Sequence, residues 1–157
     1  MALKFIYTLF LAILLTLFAG LGIDAFYKAP ELPEYPEQLR SITPDSEEKK
    51  LERNRAEIDY QEAQDKYQRE KNVYNRNVSI VAIVIAVFYL VISLLFLNKI
   101  KIIADGVLLG GVFLTVYSIV RGIMSDSSEF RFLIVSIGLA IALILGYIKF
   151  VKEDNLN

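Results

Sequence analysis

The chain has 157 residues, of which 55% are hydrophobic, and it contains no cysteine, histidine or tryptophan. This apolar share is too high for an ordinary soluble domain, and the missing cysteines exclude disulfides and thiolate metal sites. Without histidine the usual neutral-pH proton shuttle is absent. The net charge of −1 argues against nucleic-acid binding, which needs a clustered basic face.

Four apolar segments occur along the chain, at residues 5–23, 78–97, 102–120 and 132–151. A helix needs about 20 mostly apolar residues to cross a hydrocarbon core of ~30 Å. We therefore predict an all-α integral membrane protein with four transmembrane helices, at 1–24, 78–98, 102–121 and 132–151. The other predicted parts are a proline-rich extended segment (25–44), an extramembrane charged helix (45–77), a loop (122–131) and a polar tail (152–157).

The first apolar segment has two interpretations. Lys4 before it and the small residues AGLG at its end also fit a secretory signal peptide. We interpret it as an uncleaved signal anchor, because the apolar run continues through Ile23.

The proline-rich segment contains PELPEYPEQ, in which Pro30, Pro33 and Pro36 recur every third residue. Polyproline II has three residues per turn, so this spacing predicts one edge of prolines along an extended strand. A stiff, solvated linker is the alternative interpretation.

The charged helix contains neither proline nor glycine between residues 45 and 77 and leads directly into the second span. It is predicted to be continuous with that span. Tyr60, Tyr67 and Tyr74 recur every seven residues, which places them on one side of a helix. We call these three residues the tyrosine ladder.

The tyrosine ladder has two candidate partners. One is a second copy in a coiled-coil dimer, although Tyr and Ala are poor residues for such a seam. The other is the proline strand: tyrosines seven apart on a helix rise ~10.5 Å, and prolines three apart rise ~9.3 Å. We favour an intramolecular hairpin, which resembles the pancreatic-polypeptide fold over residues 30–74. Its predicted contact residues are Pro30, Pro33, Pro36, Tyr60, Tyr67 and Tyr74.

The hairpin leaves the charged side of the helix available to a partner. Five residues form this predicted partner surface, called here the charged face: Arg55, Asp59, Glu62, Lys66 and Arg69. We predict a small tetraspan protein with a structural or partner-binding role, as a scaffold or accessory subunit. A protein partner or a homo-oligomer is expected, besides the lipid bilayer.

Two other functions stay open. A small oligomeric channel or transporter would need a water-accessible path lined by Asp24, Asp105, Ser118 or Ser136; multidrug-type tetraspan transporters resemble the chain in span count alone. A membrane enzyme ranks last, since we identify no catalytic, metal-binding or cofactor-binding residue.

Small residues in the spans predict close helix packing. They are Gly106 and Gly110 in the third span, and Gly138, Ala142 and Gly146 in the fourth. We expect packing within one bundle, although the same spacing occurs in oligomers. Asp24, Asp105 and Arg121 are the ionisable residues closest to membrane depth, and we expect Arg121 to reach outward.

Orientation is ambiguous from charge. The long polar region between the first and second spans, residues 24–77, is called here the long loop. Twelve lysines and arginines lie on its side of the membrane and five on the other side, and this count alone places the long loop in the cytoplasm. However, the loop holds more acids than bases, and Lys4 precedes the first span. We predict a plasma (inner) membrane protein with cytoplasmic termini and residues 25–77 outside.

Overall fold

The computed structural model describes residues 2–37, 39, 46–96 and 100–148. These residues form four α-helices and no strand: α1 (Ala2–Phe26), α2 (Glu47–Phe96), α3 (Lys101–Ile123) and α4 (Ser128–Gly146). Each helix is long and apolar enough to cross a membrane. The prediction of a helical membrane protein is confirmed to this extent. The predicted hairpin needs a turn between the proline-rich segment (25–44) and the charged helix (45–77), and residues 40–45, where this turn would be, lie outside the described residues. The predicted polar tail at 152–157 also lies outside them.

The chain divides into two compact units. The bundle unit comprises Met1–Lys28 and Asn75–Asn157, and the loop unit comprises Ala29–Tyr74. The division falls inside α2, which is a single helix of 50 residues. Its first turn carries Glu47 and Glu48, which complement the positive end of the helix dipole. The hydroxyl of Ser46 accepts a hydrogen bond from the Lys49 backbone N–H at 3.4 Å.

Helix α3 is the centre of the bundle unit, because glycines on two of its sides allow the other helices to approach. A Cβ at Gly106 would lie 2.7 Å from Leu11 of α1, and one at Gly111 would lie 2.7 Å from Leu90 of α2. About three turns beyond Gly111 and on nearly the same side, a Cβ at Gly122 would lie 2.7 Å from Ile134 of α4. The space a side chain would need is therefore already filled by the neighbouring helices.

Helices α2 and α3 form an antiparallel pair with a regular register. Three of their contacts share one register: the Ser93 hydroxyl donates to the Ala104 carbonyl, Gly111 faces Ala86, and Ser79 bonds with Ser118. Successive contacts are seven residues apart on both helices, which corresponds to about two turns. We call this series the α2–α3 seam.

Helix α4 begins at a side-chain cap. The Ser127 hydroxyl accepts from the Phe130 backbone N–H at 3.2 Å and donates to the Glu129 carboxylate at 2.8 Å. Arg131, in the first turn of α4, donates from its Nε to the carbonyl of Ser125, which precedes the helix, at 2.7 Å. These bonds fix the short connection between α3 and α4.

Candidate functional site

The charged face lies on α2 within the loop unit, and all five of its side chains are exposed. At about 100° per helical residue, the face is centred roughly a third of a turn from the tyrosine ladder. Asp59, Glu62, Lys66 and Arg69 border a shallow depression of about 600 Å³. The Lys66 ammonium lies 3.9 Å from the carboxylate of Glu70, the next acid along the helix.

Two exposed apolar side chains border the charged face. Leu51 is 57% exposed and Ile58 is 55% exposed. They are seven residues apart, so they lie on the same side of α2. Leu51 is four residues before Arg55, and Ile58 is three residues after Arg55 and four before Glu62, so both adjoin the charged face. The charged face is therefore the rim of a surface that also offers apolar area.

The proline segment and the tyrosine ladder show complementary burial within the loop unit. Among the described residues from 30 to 39, every third one is half-buried: Pro30, Pro33, Pro36 and Leu39. The described residues between them, 31, 32, 34, 35 and 37, are exposed. On α2 up to residue 74, the positions that are not exposed are Ala56, Tyr60, Tyr67, Asn72 and Tyr74. Each predicted contact residue of the hairpin is thus at least half-buried.

Ring contacts involve two members of the ladder. The Tyr35 and Tyr60 rings lie edge to face, with centroids 5.2 Å apart and planes at 74°. This separation is within the range in which aromatic pairs attract. The Tyr60 hydroxyl accepts from Gln64 at 2.7 Å, and the Lys71 ammonium lies 5.5 Å from the Tyr67 ring centroid. The partner ring of Tyr60 is a tyrosine between two prolines, which the proline spacing did not predict.

The small residues of the spans have different surroundings. Gly106 and Gly110 face Leu11 and Leu15 of α1, and a Cβ at Gly138 would lie 2.5 Å from Ile119 of α3. Ala142 is exposed, and within the described residues no heavy atom of a neighbour lies within 4 Å of a Cβ at Gly146. The close approaches of α3 thus lie within one bundle, while the far end of α4 presents open space.

A buried polar cluster connects α2 and α3 at the end of the α2–α3 seam. Asn75 is 2% exposed, and its side-chain oxygen accepts from Arg121 Nη1 at 3.1 Å. Arg121 Nε also donates to the Tyr117 hydroxyl at 3.1 Å, and the guanidinium lies 5.4 Å from that ring's centroid. Arg121 was expected to reach outward from the bundle. It instead bonds from α3 to Asn75 of α2.

One atom of this cluster lacks a partner. Within the described part of the chain, the buried Asn75 Nδ2 has no hydrogen-bond acceptor. An unpaired buried amide costs about 1–3 kcal/mol. The bond to the charged Arg121 guanidinium offsets part of this cost, because hydrogen bonds to charged groups are stronger than neutral ones.

The α2–α3 seam is a feature that sequence reasoning missed. Ser79 and Ser118 bond reciprocally: each hydroxyl donates to the other's carbonyl at 2.7 Å, and the two hydroxyl oxygens are 3.2 Å apart. Small residues at seven-residue intervals on both spans were the available signal: Ser79, Ala86 and Ser93 on one, and Ala104, Gly111 and Ser118 on the other. Four-residue spacings such as Gly106–Gly110, from which helix packing is predicted, do not contain this seven-residue period.

The four residues proposed to line a transport path lie on three different helices. Ser118 is completely buried against Ser79, and the Ser136 hydroxyl donates to the Phe132 carbonyl of its own helix at 2.8 Å. Asp24 is exposed on α1 and Asp105 is half-buried on α3. These positions provide no observation that favours transport.

Comparison of the chain with protein-family models, with curated proteins and with solved structures gives no match.

Proposed function

We propose that this chain is a membrane scaffold or accessory subunit, which binds a protein partner through the extramembrane part of α2. The observation that carries the proposal is the combination of Leu51 and Ile58, each more than half exposed, with the charged face beside them. Protein interfaces typically have an apolar centre surrounded by a polar rim. A helix that is solvated on all sides gains nothing from exposing two such side chains.

The proposal includes a folded-back loop unit. In it, the proline strand packs on the tyrosine ladder and prevents the ladder from binding elsewhere. The three-residue period of burial in the strand, the burial of the ladder and the Tyr35–Tyr60 ring contact support this arrangement. Because the proline strand has little conformational freedom to lose, it braces the helix at low entropic cost. A braced helix holds the charged face in a fixed geometry.

The charges on this face contribute specificity more than affinity. Its five residues carry both signs, with Arg55, Lys66 and Arg69 against two acids. Exposed ion pairs are worth only about 0–1 kcal/mol each, but mismatched charges exclude wrong partners. The affinity is expected to come from Leu51 and Ile58.

Native-gel mass in mild detergent tests this function, with full-length chain extracted from its own membranes. The wild-type chain is expected to migrate in a complex heavier than its 17.8 kDa monomer in detergent. Ile58→Glu is expected to release it, because the substitution places a charge in the apolar centre of the interface. Gln68→Glu is the matched control, since it adds the same charge to an exposed site on another side of α2.

A wild-type chain that migrates as a monomer would overturn the proposal, and so would equal complex mass for both variants. A complex that contains only this chain would identify the partner as a second copy.

We further propose that both termini are cytoplasmic and that the loop unit is outside. Support comes from Lys4 before the first span and from the excess of acids in the loop, 13 acidic against 10 basic residues between 24 and 77. The chain has no cysteine, so a single cysteine at the exposed Ser46 is a unique label. Ser46→Cys is expected to react with an impermeant thiol reagent in intact cells. Labelling only after lysis would reverse the orientation.

A further inference from the structure

Six exposed residues form a straight line along α2 in the loop unit. They follow alternating steps of four and three residues, which is the spacing of a helix side that faces a partner helix. We call them the mixed stripe: Leu51, Arg55, Ile58, Glu62, Asp65 and Arg69. At about 100° per residue, the mixed stripe is centred nearly opposite the tyrosine ladder. A partner on the mixed stripe therefore leaves the tyrosine ladder untouched.

Among the described residues of α2, the four charges of the mixed stripe take part in no ion pair. The ion pairs of this helix join Lys50 to Glu47 and Lys66 to Glu70. From its N-terminal end, the order of the stripe is apolar, basic, apolar, acidic, acidic, basic. A fixed order of unpaired charges selects partners through charge complementarity.

A second copy of this chain does not complement the mixed stripe. α2 is a single helix whose apolar part is long enough to cross a membrane, so copies inserted in the same direction hold their stripes parallel and at the same height. In a parallel symmetric pair of helices, each contact residue faces its own counterpart. Four of the six facing pairs would then carry like charges, which oppose association. The neighbouring Asn54 and Gln61 carry no charge that could compensate.

A shift between two copies would be needed to bring opposite charges together. Moving one copy by seven residues would place Arg55 opposite Glu62 and Glu62 opposite Arg69. This shift is ~10.5 Å along the helix axis, about a third of a ~30 Å hydrocarbon core. Because α2 continues without a break from the stripe into its apolar part, the shift would move apolar residues of one copy out of the hydrocarbon. The bilayer thus holds two copies in the unfavourable register.

We infer that the mixed stripe binds one helix of a different protein, which carries the complementary order of charges. This inference rests on the proposed function and names the partner of the same surface. In the direction of α2, one side of the partner helix presents an apolar, an acidic, an apolar, two basic and an acidic residue. Its apolar residues contact Leu51 and Ile58, and its charged residues pair with the four charges of the stripe. The mixed stripe therefore attracts this partner and excludes a second copy.

Inverting the four charges makes this chain complementary to itself, which tests the inference with full-length chains. The inverted variant keeps the net charge and has these substitutions: Arg55→Glu, Glu62→Lys, Asp65→Lys and Arg69→Glu. It is co-expressed with the wild type so that both chains insert in the same direction. Native mass spectrometry of the detergent extract then measures homodimers and the mixed dimer, which has one chain of each kind. The mixed dimer is expected to exceed each homodimer at least about tenfold, because four facing pairs change from like to opposite charge.

The matched control inverts four exposed charges on other sides of α2 and also keeps the net charge. Its substitutions are Lys50→Glu, Glu57→Lys, Glu70→Lys and Lys71→Glu. Co-expressed with the wild type, the control is expected to give no excess of the mixed dimer. Adding Ile58→Glu to the inverted variant is expected to remove that excess, because the substitution places a charge in the apolar part of the interface.

A mixed dimer no more abundant than random pairing gives would overturn the inference. If the wild type from its own membranes still migrates in a heavier complex, the proposed function stands and only the complementary partner is wrong. A heavier complex that contains this chain alone would overturn the inference in the same way. A monomeric wild type would overturn both proposals.

Discussion

Replacing Tyr60 and Tyr67 together by serine is expected to expose the proline segment to proteolysis. Both rings are half-buried, and Tyr60 contacts Tyr35 of the segment. Removing two half-buried rings costs roughly 2 kcal/mol of packing. Where opening is fast relative to cleavage, this cost corresponds to about 30-fold faster cleavage. A glutamyl endopeptidase reports it directly, since fragments ending at Glu31, Glu34 or Glu37 identify cuts in the segment.

The matched control is the double variant Tyr60→Phe with Tyr67→Phe. It keeps both rings and removes the hydroxyl that accepts from Gln64, so its cleavage rate is expected to stay close to that of the wild type. Serine at Asp59 and Lys66 tests the charged face in the same way and is also expected to have no effect. If the tyrosine-to-serine variant is cleaved no faster than the wild type, the folded-back loop unit is wrong.

Gly111→Leu is expected to destabilise the bundle unit by about 3 kcal/mol. A Cβ at this position would lie 2.7 Å from Leu90 Cδ2 and 3.2 Å from the backbone oxygen of Ala86. The Leu90 side chain can move, but the Ala86 backbone cannot move without separating α2 from α3. That separation would also break the bonds between Ser79 and Ser118 at the next position of the seam. Unfolding by sodium dodecyl sulfate in mixed micelles measures this free energy.

Gly146→Leu is the matched control for Gly111→Leu. Both variants gain the same helix propensity, but a Cβ at Gly146 meets no neighbour within 4 Å among the described residues. The control is expected to change the free energy of unfolding by less than about 1 kcal/mol. Equal stability of the two variants would show that α2 and α3 do not pack through Gly111.

The sequence patterns predicted where the helices lie along the chain, but few of the contacts between the helices. Four apolar segments of about 20 residues predict four helices, because no other open backbone arrangement satisfies its hydrogen bonds in lipid. The absence of proline and glycine from residues 45–77 predicts that α2 is a single helix, as the structure has it. Helix ends were less certain: α4 begins at Ser128, within the predicted loop, because the Ser127 cap allows the polar residues to join the helix.

Contacts between spans depend on which faces meet, and a pattern on one helix does not contain that information. The GxxxG spacing predicts that Gly106 and Gly110 are helix-packing positions. It does not predict that they face Leu11 and Leu15 of α1. Gly22 and Gly111 look alike in sequence, yet one borders an open groove and the other adjoins Leu90.

By itself, then, the sequence determined the helical membrane class, the continuity of α2 and the three-residue and seven-residue periods of the loop unit. These follow from local rules, because hydrocarbon requires internally bonded helices and residue spacing sets which side chains share a face. Only the tertiary structure decided that α3 is central, that Ser79 and Ser118 bond, and that Arg121 bonds to Asn75. These contacts join residues 39 to 46 positions apart, and their pairing is fixed by how whole helices pack against one another.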